Sequence, residues 1–103
     1  MQERGTMKNS IFNRDKKEKC FICGRYGTTE FHHIFYGTSN RKWSEKYGLK
    51  VHLCHWCHNE PPYGVHFNKK LDTKLKQEAQ KKAMEVYNWS TEEFIKIFGR
   101  NWI

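Results

Sequence analysis

All four cysteines and all six histidines of this chain fall between Cys20 and His66. In order they read Cys20-Phe-Ile-Cys23, His32-His33, His52, Cys54-His55-Trp-Cys57-His58 and His66. A Cys-x-x-Cys pair puts two thiolates on one side of a turn, within reach of a single ion. Two such pairs, Cys20 with Cys23 and Cys54 with Cys57, fit a tetrahedral zinc site of four cysteines. A redox dithiol needs only one pair, and an iron–sulfur cluster is the remaining alternative; the matched spacing in a small basic chain favours structural zinc. A site closed by four thiolates supports folding and does no chemistry by itself. At 103 residues the chain is a single domain at most, short enough for a metal staple to help it fold.

Nineteen Lys and Arg against eleven Asp and Glu give a net charge of +8. That balance favours polyanionic partners, nucleic acid first. The positive charge gathers in residues 1–19, 41–50 and 68–82, with the cysteines and histidines between. Any one lysine run is as readily a solvated face, but three around one site point to phosphate. No apolar stretch is long enough to span a bilayer, so no membrane partner is expected. The first residues lack the apolar run of a secretory signal, which predicts a reducing, cytoplasmic setting.

The pattern predicts an α+β chain. Residues 1–19 read as a basic N-terminal arm, mobile or loosely docked through Ile11 and Phe12, with a turn of helix near Ser10 to Lys17. Residues 20–103 form the domain proper: a metal-binding core over 20–66 and C-terminal helices over 68–103. Thr28 to Tyr36 is β-branched and aromatic and predicts a strand, with Phe31, His33 and Phe35 on one face and His32, Ile34 and Tyr36 on the other. Gly37 to Gly48 is a basic loop with a short helix capped by Ser39, and Lys50 to Leu53 is a second strand, antiparallel to the first. Cys54 to Glu60 opens a helix that Pro61-Pro62 must end. From Asn68 to Tyr87, Leu71, Leu75, Ala79 and Ala83, joined by Val86 and Tyr87, mark one helical face, opposite Lys69, Lys70, Lys74, Lys76, Lys81 and Lys82. Ser90-Thr-Glu-Glu93 is a capping box for a last helix, Thr91 to Phe98, stopped by Gly99.

The histidines supply a second constellation: two from a strand, one from a helix start and one from the loop beyond. His52 and His55 read as bystanders. An adjacent pair such as His32-His33 has no evident packing purpose, and its members face opposite ways. Metal-assisted phosphodiester cleavage needs an ion to polarise the phosphate and a separate base to activate water, two duties such a pair can divide.

Cys-x-x-Cys, then Glu30-Phe-His32-His33-Ile, then Leu53-Cys-x-x-Cys57-His58 resembles the zinc-bound branch of the HNH endonucleases over roughly residues 20–66. The resemblance implies a small ββα-metal core stapled by a four-cysteine zinc site, with additional C-terminal helices. It implies that His32 binds the catalytic metal, that His33 is the general base, and that His58 is a second metal ligand with His66 completing the set. His-His-Ile-x-x-Gly, Leu-Cys-x-x-Cys-His and the distal Gly-Val-His look most like phage-encoded recombination-enhancement nucleases. These would imply a RecA-type recombinase filament as partner and a bacterial host cytoplasm. One position departs: Leu49 stands where the family carries its middle asparagine, for which Asn40 is the available stand-in.

The expectation is a metal-dependent DNA endonuclease. It would hold structural Zn2+ and a catalytic divalent ion (Mg2+, Mn2+ or Zn2+), with Arg41, Lys42, Lys69, Lys70 and Lys74 on flanking phosphates. Such contacts carry little sequence information and imply weak specificity and steep salt dependence. The rival is a zinc-stapled nucleic-acid-binding module without catalysis, and a third reading is a small adaptor whose aromatic surface binds protein.

Overall fold

A two-stranded antiparallel ribbon carries the paired histidines. The computed structural model describes residues 9–37 and 39–103. Strand β1 (Glu30–His33) pairs with the second strand in the register Glu30↔Leu53, Phe31↔His52, His32↔Val51 and His33↔Lys50. Between the strands lies α1 (Asn40–Tyr47); β2 (Lys50–Leu53) follows, then α2 (His55–Asn59), α3 (Lys69–Tyr87) and α4 (Thr91–Phe98). The result is an α+β domain with a two-stranded sheet and four helices among the described residues.

The first strand is shorter than the expected span of 28–36, and the cause is a single serine. Ile34 still donates its N–H to the Leu49 carbonyl at 2.9 Å, but the backbone then turns to Ser44. The Ser44 hydroxyl accepts from Phe35 N–H at 3.1 Å and donates to the Phe35 carbonyl at 2.6 Å. With both backbone groups of Phe35 satisfied off the sheet, alternation ends and Ile34 and Phe35 are both buried. Leu49, at the departing position, is fully buried and closes the loop through its backbone, donating to the Ser44 carbonyl at 2.8 Å. Asn40 does not stand in there: its side chain donates to the Phe98 carbonyl at 3.1 Å and ties α1 to α4. Ser39 holds the N-cap position of α1 but makes no side-chain cap bond, so the helix stands where expected without the expected cap.

The aromatic core forms where α4 meets the strand end. Phe35 packs against Phe94 and Phe98 at ring separations of 5.4 and 4.7 Å. On α3, Leu75, Ala79 and Ala83 are buried, whereas Val86, assigned to the same face, is 47% exposed. Lys76, placed among the solvated lysines, is buried as well. Its ammonium donates to Asp72 at 2.8 Å and lies over the rings of Tyr36 and Trp102.

The described part of the N-terminal segment is docked. Phe12 is buried and meets Phe21 edge-on at 5.1 Å, Ile11 N–H donates to the Gly48 carbonyl at 2.9 Å, and Asp15 accepts from His52 N–H at 2.8 Å. Instead of a helical turn, residues 10–19 make turns closed by a Lys16–Lys19 bridge. The expectation for residues 1–8 lies outside the described residues.

Candidate functional site

Helix α2 links two clusters of ligand-type side chains. On its N-terminal side, the Sγ atoms of Cys20, Cys23, Cys54 and Cys57 all lie within 4.8 Å of one another, Cys23 and Cys54 at 3.8 Å. Sulfurs at the corners of a zinc tetrahedron with ~2.3 Å bonds stand about 3.8 Å apart. The knuckle is held to the sheet by Phe21 N–H donating to the His52 carbonyl at 2.8 Å, and Gly24, at φ 79, makes the turn after the second cysteine. Burial raises the Cys20 thiol, but the N–H groups of Cys23, Cys54 and Ile22 outweigh it and hold the group at about 7. Cys57 is pushed well up by burial and by the Cys20 charge. Four thiolates at this spacing repel one another unless a cation sits among them, so the donor set and geometry fit a structural metal such as zinc.

His32, His58 and His66 form the second cluster, one ring nitrogen of each within 4.8 Å of the others. His32 reaches it from β1, is 2% exposed, and its Nε2 has no hydrogen-bond partner among the described residues. Burial, then the neighbouring His58 and His66, push its pKa down to about 3, so the ring is a neutral donor of a lone pair. His58 comes from the last turn of α2. Its Nδ1–H donates to the Glu30 carboxylate at 2.7 Å, leaving Nε2 as the lone pair, 3.1 Å from His66 Nε2. Two imidazole nitrogens bound to one ion at ~2.0–2.1 Å stand about 3.0–3.4 Å apart, so this spacing suits a shared ion. A carboxylate behind a ligating histidine is the usual means of fixing its tautomer.

His66 follows eight residues after His58, and a tight return delivers it. Val65 N–H donates to the Cys57 carbonyl at 2.7 Å, and Gly64 lies flat on the helix backbone. A Cβ there would stand 2.6 Å from the His58 carbonyl carbon and oxygen. Tyr36 backs the cluster, its ring centred 5.0 Å from that of His66 and 5.9 Å from that of His32. The Tyr36 hydroxyl donates to Asp72 at 3.0 Å; burial first, then the Asp72 charge, raise the phenol to about 12.

His33 stands apart from this cluster but opens into the same cleft of about 200 Å3, which Phe31, Tyr36 and Arg41 also line. Its Nε2–H donates to Glu45 Oε1 at 2.8 Å, and Lys50 donates to the other carboxylate oxygen at 2.7 Å. Of the five expected phosphate contacts only Arg41 lines this cleft. Lys42 is exposed beside it on α1 with its ammonium over Trp43, while Lys69, Lys70 and Lys74 line a separate open groove on the first turns of α3. His52 is bonded to Asp15 and packs tilted on the Phe31 ring, and His55 is exposed between Glu30 and Glu60; among the described residues neither belongs to a cluster of ligand atoms.

Order and spacing alone assign no role to Glu30 and Glu45. Glu30 is within their reach, because two residues before His32 on a strand is the same face. Glu45 reaches His33 from α1 across a helix–strand packing that no local pattern announces.

Comparison with known proteins supplies no kinship: no family model, no curated protein and no solved structure matches this chain.

Proposed function

We propose that this chain is a metal-dependent endonuclease acting on DNA phosphodiester bonds. The observation that carries the reading is the His32, His58 and His66 cluster, with the partnerless, buried Nε2 of His32 in it and His33 beside it in the same cleft. A buried polar atom without a partner costs about 1–3 kcal/mol, a cost that a ligand to His32 would remove. Three imidazoles suit Zn2+ better than Mg2+, which prefers oxygen donors, though Mn2+ remains within the class to be tried. A bound divalent ion would supply Lewis-acid stabilisation of the charge developing on the phosphate.

The chain's own residues account for the rest. Glu30 holds His58 with its lone pair free for a ligand. Tyr36 walls the cluster on one side and limits the water that can enter. His33 stands where it can take a proton from attacking water, and Arg41 at the cleft edge offers its guanidinium to a phosphate oxygen. The exposed lysines of α3 would hold the flanking backbone without reading bases. The resemblance of the 20–66 segment to the HNH endonucleases, with their ββα-metal core, points the same way.

The test is conversion of supercoiled plasmid to nicked or linear DNA with Mg2+, Mn2+ or Zn2+, comparing wild type with His33→Ala at equal, verified zinc content. Cleavage by wild type and a loss of at least ~100-fold in the variant is the expected result. Equal cleavage by both would remove His33 as base. DNA binding without cleavage by either, on plasmid and on RecA-coated single strands alike, would replace the nuclease with a zinc-stapled binding module.

A further inference from the structure

Glu45 and Lys50 are the least expected charges beside the cleft. Lys50 is 3% exposed, on β2 directly opposite His33 in the strand register, and Glu45 projects from α1 between them. The carboxylate is fully engaged, with one oxygen on His33 Nε2 at 2.8 Å and the other on Lys50 Nζ at 2.7 Å. The lysine is itself held over the Phe31 ring, 4.8 Å from its centroid. Each member of the chain therefore has its position fixed by the next. Burying a lysine and half-burying a glutamate merely to fasten an imidazole is an expensive way to pack, since an apolar trio of similar volume stabilises as well or better.

We propose that Glu45, locked by Lys50, is a positioning residue for His33: it fixes the ring so that Nε2 carries the proton and Nδ1 presents its lone pair to the cleft. The inference rests on the nuclease reading above. With Nε2–H committed to the carboxylate, Nδ1 is the one ring atom left to accept a proton. In the step it serves, a water O–H bond breaks and the proton goes to Nδ1, while the water oxygen forms its bond to phosphorus. The bond from phosphorus to the 3′ oxygen breaks, and that oxygen leaves with a proton from solvent. The imidazolium formed on His33 then faces a carboxylate, which stabilises it as the acidic partner of a catalytic histidine does. The other charged groups around His33 are Lys50 and Arg41, with the neutral ring of His32 beside them, so Glu45 is the one anion in contact with the ring among the described residues.

The double variant Glu45→Met/Lys50→Met removes the carboxylate and leaves no unpaired buried charge. Glu45→Gln keeps the shape and serves if the double variant melts early. On zinc-loaded protein, the expected result is a 10- to 100-fold fall in kcat with KM and metal affinity unchanged, roughly the scale on which removing an outer partner of a site histidine acts. The same change on the His33→Ala background should have no further effect on residual cleavage, because residues acting as one unit are not additive. Nitrogen-15 NMR of His33 at pH ~8, above the ordinary histidine range, gives a readout independent of activity. A slowly exchanging proton should sit on Nε2 in wild type and lose its protection in the variant. An unchanged kcat, a further loss on the His33→Ala background, or a wild-type proton on Nδ1 would each overturn the proposal. Full cleavage by His33→Ala would overturn the proposal as well, whereas DNA binding without cleavage by wild type, on plasmid and on RecA-coated single strands alike, would instead overturn the nuclease reading, so the two failures are distinct.

Discussion

At the scale of single residues, the site depends most on a side chain that is not there. Gly64 lets the loop after α2 lie against the His58 backbone, and that contact brings His66 Nε2 to 3.1 Å from His58 Nε2. A methyl at Gly64 would meet backbone atoms, which cannot rotate aside, so the loop must lift. Gly64→Ala should therefore cost about 1–3 kcal/mol and weaken metal binding at the histidine cluster by at least ~10-fold, as a loosened ligand set does. Calorimetric titration with Zn2+, after the cysteine site is filled, checks this. Retention of full affinity would mean that His66 is not held by the return. Gly-Val-His as a string carries no hint of this contact, because the Cβ clash exists only once the loop is folded onto α2. Glu45 is hidden for the same reason: its partners lie five and twelve residues away on two different strands. His32, His58 and His66, by contrast, belong to a constellation that order and spacing gather, but it is the resemblance to the HNH endonucleases, not spacing, that picks these three as ligands and His33 as base.

At the scale of elements, legibility follows from whether the deciding interaction is local. The second strand falls on the expected residues, and α2, α3 and α4 begin and end within a residue of expectation, because their signals are carried by neighbours in sequence. Asn68 accepts from Leu71 N–H at 3.1 Å, and Ser90 and Glu93 exchange bonds of 3.1 and 2.7 Å. Ser90→Ala breaks that reciprocal pair and should cost about 1 kcal/mol in urea unfolding, with m unchanged. Glu93→Gln, which can still reach back to the Ser90 N–H, should cost less. A larger loss for the glutamine variant would show that Glu93 acts through charge rather than capping. The first strand and the lysine face of α3 depart from expectation because distant residues decide them. Ser44 ends the strand by taking the Phe35 backbone, and Tyr36 and Trp102 come from outside α3 to cover Lys76, whose ammonium Asp72 holds from one turn back on the same helix. Periodicity cannot report a partner that arrives from another element.

At the scale of the whole molecule, the thiol cluster and the sheet are one unit. The knuckle bonds to β2 through Phe21, Cys54 follows β2 directly, and the N-terminal segment reaches the same strand through Asp15 and His52. A two-stranded sheet of four residues per strand is marginal by itself, so a metal joining its ends should govern folding. Stripping the protein with a strong chelator should abolish the cooperative thermal transition seen by circular dichroism, and returning Zn2+ should restore it. A chelated chain whose Tm stays within about 4 °C of the loaded one, less than the shift expected for ~1 kcal/mol in a domain this size, would show that the aromatic core suffices.

Cys57 and His58 are successive residues of one five-residue helix, the first facing the thiols and the second the imidazoles. In the terms of protein engineering, this leaves no seam along which to cut. A graft of the three histidines onto a new scaffold would have to bring β1, α2 and the Gly64 return together. It would bring the four thiols too, since α2 takes its orientation from them. Inserting one residue between positions 57 and 58 would rotate every later side chain of the helix by about 100°, turning the imidazole away while the thiols stayed in place. The junction can be transplanted whole, or not at all.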